Sequence, residues 1–172
     1  MSYKNKLKDI KAFVFDVDGV FTDGSVYLLP DGNMARVMNV LDGLAVVKAV
    51  KANYFIGVIT GGNDPMVKNR IEYLGIKDYY PKSPNKIIDY QEFKSKYNLN
   101  DNEILCMGDD IPDIEMMQLS GISACPKNSM PEVKLISQYI SPIKGGKGAV
   151  RDVIEQVMKV QRTWLEDNTQ SL

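Results

Sequence analysis

The 172-residue chain is predicted to fold as one three-layer α/β domain, with a central parallel sheet covered by helices on both faces. Three observations carry that expectation. Short apolar runs alternate with stretches of helical periodicity almost to the end of the sequence. The length suits a single domain with a real core, and no repeat, low-complexity tract or linker marks a second one, so the domain is drawn over 1–172. Charged residues at 25% and hydrophobic residues at 44% fall in the ordinary globular range, which argues against both a disordered and a membrane-embedded chain.

In order, "AFVFDV" (12–17) reads as a buried strand, and residues 24–40 as two extended runs around the turn signal Pro30-Asp31-Gly32. That interval breaks the strand–helix rhythm and predicts a projecting β-hairpin. "DGLAVVKAVKA" (42–52) is a helix and "YFIGVIT" (54–60) the next strand. A helix over 63–75 opens on Asn63-Asp64 as cap candidates with Pro65 in its first turn, and stops at Gly75. Helix 83–98, strand "EILCMG" (103–108), helix 111–120, and short strands at 121–125 and 138–142 follow. The last helix spans 148–165, with Val150, Val153, Ile154, Val157, Val160 and Trp164 as its core stripe. Crossover helices between parallel strands make this a Rossmann-like arrangement.

Several functions are excluded by what is absent. The chain contains no histidine, which removes Ser-His-Asp and Cys-His catalysis and phosphohistidine chemistry. Cys106 and Cys125 are too few for a disulfide framework or a zinc knuckle, and neither has an arginine six positions on. A formal charge of −1 predicts no nucleic-acid partner, and no apolar run reaches the length of a membrane span. The opening "MSYKNKLKDIK" leads into only a short apolar strand, so it is not expected to be a secretory signal, and the protein is expected in the cytoplasm.

Catalysis must then run on carboxylates, lysine, hydroxyls or metal, and those residues gather at strand ends. "FVFDVDGVFTDG" (13–24) places Asp16, Asp18 and Asp23 within eight positions of one another. The next long strand ends in Thr60-Gly61-Gly62, and the third in Gly108-Asp109-Asp110 with Asp113 one turn on; Lys86 opens the helix between them. Ligands of open α/β sheets bind beyond the carboxyl ends of the strands. Residues two apart on an extended chain share a face, so Asp16 and Asp18 address one site. Converging carboxylates need neutralising, and magnesium, which takes few carboxylates and keeps sites for water and phosphate, suits them. Thr60, the Gly61 and Gly62 amides and Lys86 are phosphate-binding candidates. Alone, each piece has a bland explanation: an Asp pair caps helices, "GDD" forms turns and a lone lysine is usually solvated. Their order along the chain is what points to phosphoryl transfer.

That order, DxD, T-G, K, GDD-x-x-D, resembles the motif set of the haloacid dehalogenase superfamily across residues 11–124. The resemblance implies a haloacid dehalogenase-like fold, with Asp16 as nucleophile forming an aspartyl-phosphate and Asp18 as general acid–base. Thr60, Gly61 and Lys86 would hold the phosphate; Asp16, the backbone carbonyl of Asp18, and Asp109 would hold Mg2+, supported by Asp110 and Asp113. Over nearly the whole chain "FDVDGVFTDG", the hairpin, "NVLDG", "VITGG", "GDDIPD" and "GGKGAVRDV" resemble the 3-deoxy-D-manno-octulosonate 8-phosphate phosphatase family, which serves lipopolysaccharide precursor synthesis. Its members lack a cap domain and form homotetramers in which the hairpin (here 24–40) and C-terminal tail (163–172) help close a neighbour's site. Arg70 matches a family arginine that meets the sugar carboxylate. Gly62 stands at a substrate-binding place where the family often has arginine, and "YYPKSPNK" replaces a frequent Gln-Gly; both departures bear on substrate choice. "GGKGAVRD" would either line the sugar pocket or simply lead into the last helix.

Three other readings compete. One is a phosphatase for a nine-carbon 2-keto-3-deoxy sugar acid 9-phosphate, on the same capless fold. A receiver-type phosphoacceptor module also uses Asp, Thr and Lys, but its acceptor follows a later strand, whereas here DxD opens the chain. A non-catalytic regulatory domain would not need the intact motif set.

Overall fold

The structure, a computed structural model, describes residues 2–165. Strand β1 (Ala12–Phe15) is buried at every position, with Phe13 and Phe15 in one core and Ala12 and Val14 in the other, as the two-residue period of a strand dictates. After it come the hairpin strands β2 (Tyr27–Leu28) and β3 (Met34–Ala35), helix α1 (Val40–Lys51), β4 (Phe55–Ile59), α2 (Pro65–Tyr73) and β5 (Asp78–Tyr80). The second half holds α3 (Lys86–Lys96), β6 (Ile104–Met107), α4 (Ile114–Leu119), β7 (Ile122–Cys125), α5 (Pro131–Ile136), β8 (Tyr139–Ile140) and α6 (Ala149–Val160).

Six strands form one parallel sheet in the order β5-β4-β1-β6-β7-β8. One core lies between the sheet and α1, α2 and α6, where Val46, Ile71, Ile154 and Val157 meet Phe13 and Phe15. The other lies under α3, α4 and α5, where Tyr90, Phe93, Met116, Met117 and Val133 meet Ala12, Val14 and Cys106. The chain leaves β1 for β4 on one side and returns to β6 on the other. The strand order therefore reverses beside β1, opening a crevice at the carboxyl ends of β1 and β6.

Several elements differ from the sequence expectation for local reasons. Helix α1 starts at Val40, because the Asn39 side chain accepts from the Leu41 amide at 2.8 Å. The last helix stops at Val160, and Arg162 takes a left-handed φ of 61°. Trp164 reaches the core after the helix has ended and packs its ring beneath Lys48 and Arg151. Of the expected tail at 163–172, residues 166–172 lie outside the described residues. The hairpin ladder has two pairs, Tyr27↔Ala35 and Leu28↔Met34. Met38, beyond it, packs against the core instead of projecting.

Candidate active site

At the crevice, β1 delivers Asp16, held by its own amide donating to the Met107 carbonyl of β6 at 3.2 Å. The chain then makes a wide turn over Val17–Phe21, closed by the Thr22 amide on the Val17 carbonyl at 3.0 Å. Gly19 occupies a φ of +86°, and a Cβ there would collide with the Asp109 carboxylate, so both backbone freedom and close approach require glycine. The turn carries Asp18 over the strand end, with the Thr22 hydroxyl 3.4 Å from its Oδ1. Asp23 instead turns outward, accepting from the Ser25 amide at 2.9 Å and lying 3.9 Å from Lys147. Of the three carboxylates in this stretch, Asp16 alone joins Asp109 and Asp113 in a close-set group.

From β6 come Asp109, Asp110 and Asp113. Asp113 is fully buried and its oxygens are committed: Oδ1 lies 2.7 Å from Lys86 Nζ, and Oδ2 accepts the Asp109 and Asp110 amides at 2.9 and 3.3 Å. It is the bracket that shapes this loop. Asp110 caps the following turn, accepting from the Ile111 amide at 2.7 Å, with its side chain on the exposed side. Lys86, the first residue of α3, is 8% exposed and bridges Asp113 and Asp16, the latter at 2.9 Å. Burial opposes its charge, but the two carboxylates outweigh burial and hold the ammonium.

Thr60 follows β4 and is buried, its Oγ accepting the Gly62 amide at 3.1 Å, which leaves the hydroxyl proton to donate. The turn is pinned by Lys82 N on the Gly62 carbonyl and Ser83 N on the Thr60 carbonyl, at 2.9 and 3.0 Å. Gly61 faces open space. Arg70 on α2 lies apart from the aspartate cluster, its guanidinium beside Gly43 of α1 and 5.6 Å from the Tyr73 ring centre.

Asp16, Asp109 and Asp113 each offer a carboxylate oxygen within 4.8 Å of the others. Burial first, and then the charge of Asp113, push the carboxyls of both Asp16 and Asp109 up to about 7. One lysine does not neutralise three carboxylates. An all-oxygen, excess-negative donor set of this kind fits a hard divalent cation. Asp16 and Asp109 are the available side-chain ligands, since Asp113 is already engaged.

One contact carried no sequence signal sufficient to find it, and one loop had a role that the sequence left open. Arg36, a lone base in the apolar stretch "MARVM", places its guanidinium between Asp18 and Asp64. The glycines of "GGKG" pack behind the catalytic turn: the Gly146 amide donates to the Val20 carbonyl at 3.0 Å, and a Cβ on Gly145 would strike the Gly19 carbonyl. This loop therefore braces the turn that carries Asp18.

Residues 45–154 match the family model described as haloacid dehalogenase-like hydrolase. A 3-deoxy-D-manno-octulosonate 8-phosphate phosphatase from Salmonella typhi is 30% identical over 97% of this chain and 89% of its own. The crystal structure of the phosphatase of that name from Yersinia pestis superposes with a TM-score of 0.93 at 27% identity, covering 95% of this chain and 89% of that one. Its counterpart from Moraxella catarrhalis, solved in complex with magnesium, phosphate and KDO, superposes with a TM-score of 0.91 at 29% identity, covering 94% and 93%.

Proposed function

Because this chain belongs to the haloacid dehalogenase-like hydrolases, within the branch of the 3-deoxy-D-manno-octulosonate 8-phosphate phosphatases, we propose how its own residues perform that reaction. The enzyme is a magnesium-dependent phosphoric monoester hydrolase that releases phosphate from 3-deoxy-D-manno-octulosonate 8-phosphate. The observation that carries the assignment of roles is the meeting of Asp16, Asp109 and Lys86 at the switch point, with Asp18 on the turn above them. Asp16 is the nucleophile: its carboxylate attacks phosphorus and becomes an aspartyl-phosphate while the sugar alcohol departs. Asp18 gives that alcohol its proton, then takes one from the water that attacks the aspartyl-phosphate, which restores Asp16 and frees phosphate. The Thr60 hydroxyl, the Gly61 amide and Lys86 hold the phosphoryl oxygens in line. Asp16, Asp109 and the Asp18 carbonyl hold magnesium, which when bound draws charge off the phosphoryl oxygens and off the attacking carboxylate. Asp113 and Asp110 shape the loop that presents Asp109. Arg70, set apart from the aspartates within one chain, and the backbone at Gly62 are the positions that the family likeness offers to the sugar.

A homotetramer with shared sites belongs to the same proposal. The flap exposes Leu28 by 80% and Tyr27 by 61%, and Leu29, Met34 and Val37 beside them are also exposed, as are Val40, Leu41 and Leu44 on α1. This apolar surface has no core of its own to cover, which is the mark of an interface. A second copy of the chain laid over it would close a crevice that one chain leaves open to water. Cytoplasmic residence is proposed from two buried cysteines that remain free thiols, the state a reducing compartment keeps.

The test is phosphate release, with magnesium and with a chelator, from the eight-carbon ester, its nine-carbon 9-phosphate counterpart and simple sugar phosphates. Preference for the eight-carbon ester, lost on chelation, is the expected result. Equal turnover of every ester, or turnover indifferent to chelation, contradicts the reading.

A further inference from the structure

Arg36 reaches from the flap onto the acid–base residue. Its Nε lies 2.7 Å from Asp18 Oδ1 and its Nη2 3.3 Å from Asp18 Oδ2, while Nη1 lies 2.9 Å from Asp64 Oδ2. The guanidinium thus sits between two carboxylates, with 10% of its side chain exposed. Asp64 has a task of its own at the start of α2, where Oδ1 accepts the Met66 amide at 2.8 Å, so α2 stays capped whether or not Arg36 is there. Only part of the five-donor fork is used by these contacts. The Tyr79 hydroxyl, sealed from water, has no hydrogen-bond partner among the described residues, and burial first, then the charge of Asp64, push its phenol up. The wall beside Asp18 is bare backbone: a Cβ on Gly62 would stand 3.8 Å from Asp18 Oδ2. Lys86 is already divided between Asp16 and Asp113.

Both Asp18 oxygens accept from the guanidinium while 38% of the side chain stays exposed, so the acid–base group meets the leaving oxygen in competition with the arginine. A substrate with phosphate at one end and carboxylate at the other brings a replacement partner for the arginine. We propose that Arg36 is a specificity-determining residue: the carboxylate of a bound sugar acid takes the guanidinium from Asp18, so that a carboxylate-bearing ester both gains a partner and frees the acid–base group. This rests on the phosphatase reading above. Exchanging one carboxylate for another on the same fork keeps the charge-assisted, bidentate geometry. A neutral ester has to break that ion pair with nothing to replace it, a penalty of about 10- to 100-fold.

The experiment compares the sugar acid phosphate with its C1 carboxamide, on the wild type, Arg36→Ala and Arg36→Lys. The wild type should prefer the acid by about 10- to 100-fold in kcat/KM. Arg36→Ala should bring the two esters within about threefold, the acid losing its partner while the amide meets an unblocked Asp18, and Arg36→Lys should retain part of the preference. A preference that survives in Arg36→Ala overturns the proposal. Equal loss on both esters overturns it too, since it makes Arg36 a residue that only orients Asp18. Calorimetric binding of both esters to Asp16→Asn, with and without Arg36→Ala, separates the two levels of the claim. An Arg36-dependent preference in binding, without wild-type hydrolysis, sinks the phosphatase reading and leaves the role of Arg36 standing. Hydrolysis without an Arg36-dependent preference does the reverse.

Discussion

Replacing Asp16 by asparagine should make the metal-free protein more stable at alkaline pH while removing the proposed nucleophile. Asp16 is 7% exposed, and burial together with Asp113 pushes its carboxyl to about 7 despite the pull of Lys86. Unfolded, the same group ionises near its ordinary value. Between those points the native state holds a proton that the unfolded state has lost, so stability falls as pH rises from about 4 to about 7 and is then level. A gap of roughly three units corresponds to on the order of 4 kcal/mol at most. Relaxation around Lys86, and the hydrogen bond an amide would keep to it, reduce the expected difference to about 1–3 kcal/mol. Asp109, also near 7, and Asp42, raised to about 6 by burial against the start of α6, slope the same way in both proteins. The wild-type-minus-variant difference therefore reports Asp16 together with its partners Lys86 and Asp113. Urea unfolding in chelator at about pH 5 and about pH 8 reads it, with the variant's advantage larger at the higher pH. Magnesium at about 1,000 times Kd should reverse the order, since it then stabilises the wild type by about 4.1 kcal/mol. A variant less stable than the wild type at the higher pH, without metal, would refute the reasoning: pairing with Lys86 would then outweigh desolvation.

Asp18→Asn should lose about 10²- to 10⁴-fold in kcat with an unchanged magnesium requirement, because the metal contact proposed for residue 18 is its backbone carbonyl; steady-state rates against magnesium concentration check both. Gly145→Ala should lower kcat by about tenfold or more with circular dichroism unchanged, since its Cβ would push the Gly19 carbonyl and with it the catalytic turn. A wild-type rate there would show that the loop does not brace the turn. Polar replacements at Leu28 and Leu29 should give smaller species by light scattering and poor turnover of the sugar acid, with a small generic ester less affected; a fully active monomer would end the shared-site model.

The sheet and its working edge were legible in the sequence because both depend on local pattern. Short apolar runs such as Ala12–Phe15 and Ile104–Met107, bounded by polar turns and alternating with longer helical stretches, read as buried strands, and the aspartates that follow them fall where parallel strands open. Strand β5, "DYY", and helix α5, "PEVKLI", were not legible: each is too short to show a period, and each is fixed by its neighbours in the sheet and the second core. Arg36 was invisible for a related reason. Its partners Asp18 and Asp64 are 18 and 28 positions away, and only the fold of the flap brings the three together. The choice for "GGKG" between pocket wall and helix entry turned on packing, and the glycines answer it by lying against Gly19 and Thr22 backbone where no side chain fits.

The most direct measurement on the central claim is mass spectrometry of enzyme quenched in acid during turnover of 3-deoxy-D-manno-octulosonate 8-phosphate with magnesium. The peptide containing Asp16 should carry the mass of one phosphoryl group, localised to Asp16 by fragmentation, absent in chelator and absent from Asp16→Asn. A phosphoryl group on another residue, or steady turnover by Asp16→Asn, would contradict the account.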